Sequence, residues 1–167
     1  MPTCMLNPEG PILVPVDFSK HSEAALIFAA NVAELMHRKI IVMHIVHEPA
    51  SAPGYYRRSG ADDSRTMDAI ASEMMETFLA ETCKTCPNIN LDEVEVKLLD
   101  GIPSRRIVEY AKKIEAHMII MGSHGQRGFK SLMVASKARK VMQYAPMPVT
   151  VVKADEVAAK LVNEATE

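Results

Sequence analysis

The residues best suited to chemistry fall in one short stretch, Gly122-Ser123-His124-Gly125-Gln126-Arg127-Gly128, where three glycines recur at three-residue intervals. Glycine adopts backbone angles that other residues avoid and admits a ligand close to the chain. Between a strand and a helix, such a loop can turn several N–H groups toward a phosphate, aided by the positive end of the helix. The charge pattern fits an anionic ligand. From Gln126 to Lys153 there are six basic residues, Arg127, Lys130, Lys137, Arg139, Lys140 and Lys153, and no acid, although the whole chain has a net charge of −2. The same glycine spacing also serves a tight structural turn, and Arg139 and Lys140 also suit a solvated helix face.

Asp17 ends an apolar run, where a carboxylate can hydrogen-bond a ribose hydroxyl or an amine, or simply cap the next helix. His124 sits inside the glycine loop, within reach of a phosphate bound there. His44 and His47 are three apart on one predicted strand and are expected on opposite faces, which argues against a shared metal site. Cys83 and Cys86 have the spacing of a redox pair, but that chemistry needs the first thiol at a helix amino terminus. Here the pair closes a predicted helix before Pro87, Cys4 makes the cysteine count odd, and no second pair completes a zinc site.

These groups act together only if strands and helices bring them to one place. Pro11 to Val16 reads as a strand, followed by a helix from Ser22 to His37 with Ala25, Leu26, Ala29, Val32, Ala33 and Met36 at helical spacing. Lys39 to Val46 is a nearly continuously apolar strand, as a parallel strand covered on both faces should be. A helix from Ser64 to Cys83 carries the stripe Met67, Ile70, Met74, Phe78 and Leu79. Glu93 to Leu98 alternates polar and apolar and is expected at a sheet edge. A helix through Glu115, a strand from His117 to Met121, a helix centred on Ser131 to Gln143 and a strand from Pro148 to Val152 complete the pattern. Alternating strands and helices predict a doubly wound parallel α/β sheet with right-handed crossovers. Its ligand crevice lies beyond the carboxyl ends of the strands, where strand order reverses.

The length of 167 residues suits one domain, placed at residues 11–153 with tails at 1–10 and 154–167, and residues 49–63 read as a mobile loop. The balanced charge gives no reason to expect nucleic acid or an anionic membrane as partner. No apolar stretch is long enough to span a bilayer and no secretory leader is apparent, so a soluble cytoplasmic protein is expected.

Several separated segments resemble the universal stress protein family. They are Ile12 to Ser19, Met43 to Val46, Gly101-Ile102-Pro103, Ile119 to Gly125 and Ala145 to Val152, in family order between Pro11 and Lys153. The resemblance implies an open five-stranded parallel sheet of the adenine nucleotide alpha-hydrolase-like kind, in the order 3-2-1-4-5. It also implies binding of ATP, or of AMP or ADP, with Mg²⁺ held through the phosphates. Pro15, Val16 and Asp17 would border adenine and ribose, Ile45 would pack on the base, Met121 and Gly122 would line the sugar, and Gly125, Ser136 and Lys137 would meet the phosphates. The family pattern is glycine, two residues, glycine, nine residues, then glycine and serine or threonine. Gly122 and Gly125 match it, but the last pair is Ala135-Ser136. A positive φ at Ala135 would cost about 1 kcal/mol, which weakens binding rather than abolishing it. No general base suggests itself, so any hydrolysis is expected to be slow. The alternative is a stress protein that binds no nucleotide and acts through dimerisation and protein partners; an enzyme using adenylate chemistry ranks third. Pairing of two copies along Pro148 to Val152 is implied as well.

Overall fold

Two strands, β1 (Ile12–Pro15) and β2 (Ile40–Val46), are buried along their whole length, as strands covered on both faces must be. A computed structural model describes residues 7–47, 66–86, 89–90, 93–124 and 136–154. In chain order its further elements are α1 (Lys20–Met36), α2 (Met67–Thr85), β3 (Val94–Asp100), α3 (Pro103–Lys113), β4 (Met118–Gly122), α4 (Ser136–Tyr144) and β5 (Val149–Val152). The five strands are parallel in the order β3-β2-β1-β4-β5, with Ile12 opposite both Ile40 and Met118. Order therefore reverses beside β1, and β3 and β5 form the two edges as the sequence predicts.

Period-two alternation divides the core. Ile12, Val14, Val42 and Ile120 pack with Leu26 of α1 and Phe78 of α2. On the opposite face, Leu13, Met43 and Ile119 pack with Ile107 of α3 and Val141 of α4. Thus α1 and α2 cover one face, and α3 and α4 the other.

The face that α2 buries is rotated from the expected stripe. Met67 is exposed, whereas Ala71, Met75, Phe78, Leu79 and Thr82 are buried. Apolar spacing alone misses Thr82 because its hydroxyl is polar, yet that hydroxyl donates to the Phe78 carbonyl at 2.8 Å and can be buried without loss. The small Ala71 completes the same face. β3 also runs two residues beyond the expected Leu98, because its pairing with β2 continues to Val46 opposite Asp100. Among the described residues no helix is long and apolar enough to cross a membrane.

Helix α1 starts where the chain leaves β1. Ser19 is its cap, accepting the Ser22 N–H at 3.2 Å, and Asp17 Oδ1 accepts the Ser19 N–H at 3.3 Å. The helix then passes so close to the end of β4 that a Cβ on Gly122 would lie 2.7 Å from the His21 carbonyl carbon and 2.9 Å from its oxygen. Backbone atoms cannot yield as a flexible side chain can. Gly122→Ala is therefore expected to destabilise the fold by about 1–3 kcal/mol in urea denaturation, and stability unchanged within 0.5 kcal/mol would show that α1 can back away freely.

Candidate functional site

Beside β1, where strand order reverses, the carboxyl ends of the strands open into a cleft of about 570 Å³, counting its solvent-open mouth. Pro15, Val16 and Asp17 border it from β1, and Ile45 from β2. Met121, Gly122 and His124 border it from β4, and Lys137 from α4. Eight of the residues singled out in the sequence thus share one cavity. Ser136, exposed at the first position of α4, is not among those bordering it. Gly125, Ala135 and the 49–63 loop lie outside the described residues.

The β1 end of the cleft is held by backbone bonds. Val16 N–H donates to the Met43 carbonyl at 2.8 Å, and the Val16 carbonyl accepts His44 Nδ1–H at 2.8 Å. The chain must then swing from the sheet into α1 within three residues, and Phe18 absorbs the turn at φ 62°. That left-handed angle costs a bulky residue on the order of 1–3 kcal/mol. Packing offsets it: the Phe18 ring lies 4.3 Å from the His44 ring and 5.7 Å, edge on, from Phe78.

His44, weighed in the sequence only as half of a metal pair with His47, borders the cleft. It is buried, and its Nδ1–H bond to Val16 leaves the lone pair on Nε2. Burial holds its pKa below the usual imidazole range and the charges of His47 and Lys137 add to this, opposed by the Val16 carbonyl and by Asp17. The His44 ring packs on Phe18, which lies beside Phe78 of α2, and both His44 and His47 border the cleft. β2 stops at Val46, and the ring of His47 folds back to within 3.0 Å of the Ile45 carbonyl. Among the described residues no group of three or more His, Cys, Asp or Glu side chains is placed to hold a metal ion.

Sequence spacing also gave no sign of the contacts made by Ser123. Fully buried, its hydroxyl lies 3.0 Å from His124 Nδ1 and 3.3 Å from His21 Nδ1. The two imidazole centroids are 5.2 Å apart. His21 Nδ1 also accepts the Ala154 N–H at 3.1 Å. Burial first, and the charge His124 can carry second, hold the pKa of His21 down against the pull of Asp17. The serine follows Gly122 directly in sequence, but its partner on α1 is set only by the close approach of helix and strand.

Cys86 closes α2, and the Cys83 thiol donates to the Ile89 carbonyl at 3.8 Å. Burial, with the neighbouring Cys86, pushes the Cys83 pKa up. That is the reverse of what activates a redox thiol.

Lowered histidine pKa values link folding to pH. Below an unfolded-state value of about 6.5 the unfolded chain binds more protons, so the stabilising preference for neutral His44 and His21 is lost as pH falls through their folded values. The urea midpoint is expected to fall from pH 7.5 to pH 5. His44→Asn keeps a donor toward Val16 but cannot titrate, and should show a shallower fall; an identical slope would remove His44 from the account.

The sequence profile of the Universal stress protein family matches residues 10–153. A universal stress protein of Methanocaldococcus jannaschii is 29% identical over 151 residues, covering 85% of this chain and 93% of its own. The stress response protein NhaX of Bacillus subtilis is 28% identical, covering 85% and 96%. Among solved structures, a universal stress protein of Archaeoglobus fulgidus superposes with a TM-score of 0.61 at 28% identity, covering 86% of this chain and 98% of that one. Another structure from that organism, a complex with dAMP, gives a TM-score of 0.60 at 27% identity, with coverages of 86% and 98%. These neighbours share the adenine nucleotide alpha-hydrolase-like arrangement of a five-stranded parallel sheet in the order 3-2-1-4-5. With its profile match spanning the whole sheet, this chain belongs to the universal stress protein family.

Proposed function

We propose that the cleft beside β1 binds an adenine nucleotide, with ATP as the leading ligand and Mg²⁺ carried on its phosphates. The observation that carries this reading is the meeting of Val16, Asp17, Ile45, Met121, His124 and Lys137, from separate parts of the chain, in one cavity at the switch point. Apolar walls beside a few polar groups suit a base and sugar. Ile45 and Met121 pack on the base and sugar, Asp17 accepts from ribose hydroxyls, and Lys137 meets the phosphates. The dAMP complex of the Archaeoglobus relative supports an adenine nucleotide as the class of ligand. The role is regulatory, and binding rather than turnover is its output.

Titration calorimetry with ATP and with adenosine tests this, after heating the purified protein to release any nucleotide it carries. Lys137→Ala is expected to weaken ATP about fivefold, the equivalent of about 1 kcal/mol for an exposed charge, and to leave adenosine unchanged. No released nucleotide and no heat at millimolar ATP would overturn the reading and favour a stress protein that acts through partners alone.

Assembly is the second part of the proposal. Among the described residues β5 is a short edge strand whose outer backbone groups face away from its neighbour β4, and a second copy can pair with them. A homodimer is expected by light scattering at micromolar concentration; a monomeric mass would contradict it.

A further inference from the structure

The chain leaves β5 anchored to α1, because the Ala154 N–H donates to His21 Nδ1 at 3.1 Å. His21, Phe28 and Leu35 recur every seven residues along α1 and so share one side of it, with Val32 beside them four residues after Phe28. α2 lies toward a different side, where Glu23 accepts from the Thr85 hydroxyl at 3.4 Å. The side marked by His21 is apolar, and no described element covers it: Leu35 is 82% exposed, Phe28 42% exposed and Val32 half-buried. Beyond Ala154 stand residues 155–167. Val157, Ala158, Leu161, Val162 and Ala165 recur there at i, i+1, i+4, i+5 and i+8, an apolar arc on one side of a helix, while Glu156, Lys160, Asn163 and Glu164 fall on the other. Alanine, leucine, glutamate and lysine favour a helix, and Asp155 and Glu156 suit its positive amino end. A helix this short is marginal alone in water and gains most by burying its apolar arc. Helical rise puts Phe28 about 10 Å and Leu35 about 21 Å from His21 along the α1 axis, and a helix of residues 155–167 spans about 20 Å.

We propose that residues 155–167 fold back as an amphipathic helix along this flank of α1, with Leu161 and its apolar neighbours over Phe28, Val32 and Leu35. The anchor at His21 sets the direction. It lies in the first turn of α1, so from there the apolar flank extends only toward the carboxyl end of that helix, and the segment runs parallel to α1. The same anchor favours this occupant over a second copy. A segment tethered beside the flank acts at an effective concentration on the order of millimolar, which another chain at micromolar concentration does not match. The flank also lies above one face of the sheet, where Val152 packs with the residues that α1 covers, whereas the outer backbone groups of β5 lie in the plane of the sheet. The docked segment therefore leaves the strand edge open to the second copy proposed above.

Hydrogen exchange of the full chain, read by NMR at amides 158–166, tests the docking. In the wild-type protein these amides should exchange about tenfold more slowly than in a free chain. Leu161→Asp, on the apolar arc, and Leu35→Gln, on α1, should each return the segment to free-chain exchange, while Lys160→Gln on the polar side keeps the protection. Leu35→Gln is the decisive variant. It leaves the segment's own helix propensity unchanged and replaces a side chain that the rest of the fold does not bury. Nuclear Overhauser contacts from the Phe28 ring to the Leu161 or Val162 methyl groups should persist on about tenfold dilution, and should be absent from a mixture of labelled and unlabelled chains filtered for contacts between copies. Free-chain exchange of the segment in the wild-type protein would overturn the proposal, as would protection unchanged in Leu35→Gln. Contacts found only between copies would overturn it as well and give the flank to a second chain.

Discussion

The close passage of α1 over Gly122 fixes the geometry on which the cleft depends. A strand end with any side chain there would hold the helix off, because the nearest atoms are the backbone of His21. With hydrogen in place of Cβ, the first turns of α1 settle against β4, and three contacts follow. Ser123 reaches His21, the Ser19 hydroxyl reaches the His124 carbonyl, and His21 reaches the Ala154 N–H. The Ser123 N–H meanwhile extends the sheet by bonding the Val152 carbonyl at 2.8 Å. Helix, central strand and edge strand are thus tied together where strand order reverses. A glycine expected to admit a ligand also admits a helix, and removing that contact would disturb the cleft before any ligand entered it.

A second constraint acts from the β1 side. The left-handed angle at Phe18 lets the chain enter α1 so soon after leaving the sheet, and the ring that results packs between His44 and Phe78. His44 can lie in that apolar setting because the Val16 carbonyl accepts its one proton. A charge there would face both burial and the positive groups His47 and Lys137. The cleft wall therefore contains a neutral imidazole whose state is set by the strand supporting it. Local strain at Phe18 and burial of His44 are parts of one arrangement, in which each makes the other tolerable.

Most of the fold could be read from the sequence because buried parallel strands leave a coarse signal, nearly unbroken apolar runs such as Ile40 to Val46, that survives small errors of boundary. Asp17 was legible for a related reason: it ends such a run, and strand ends converge in this topology, whereas Met121 was implied by the family resemblance. The buried face of α2 was less legible, since Thr82 enters the core by satisfying its hydroxyl within the helix and hydrophobicity does not register that bond. The pairing of His21 with Ser123 had no sequence signal at all. It spans 102 positions and depends on how closely a helix approaches a strand, a quantity that residue type at Gly122 permits but does not specify.

The same distinction sharpens the electrostatic picture. A basic stretch in the sequence suggests a strongly positive site, yet Arg139 and Lys140 are exposed on α4 and do not border the cleft, which receives Lys137 alone from that stretch among the described residues. Among the described residues, oriented backbone supplies a second positive feature. Ser19 closes the amino end of α1, whereas Ile102 gives α3 no side-chain cap, and Pro103 at the start of α3 borders the cleft. The positive end of the α3 dipole is thus available near the cleft, but its reach is about one turn of helix and it cannot be switched.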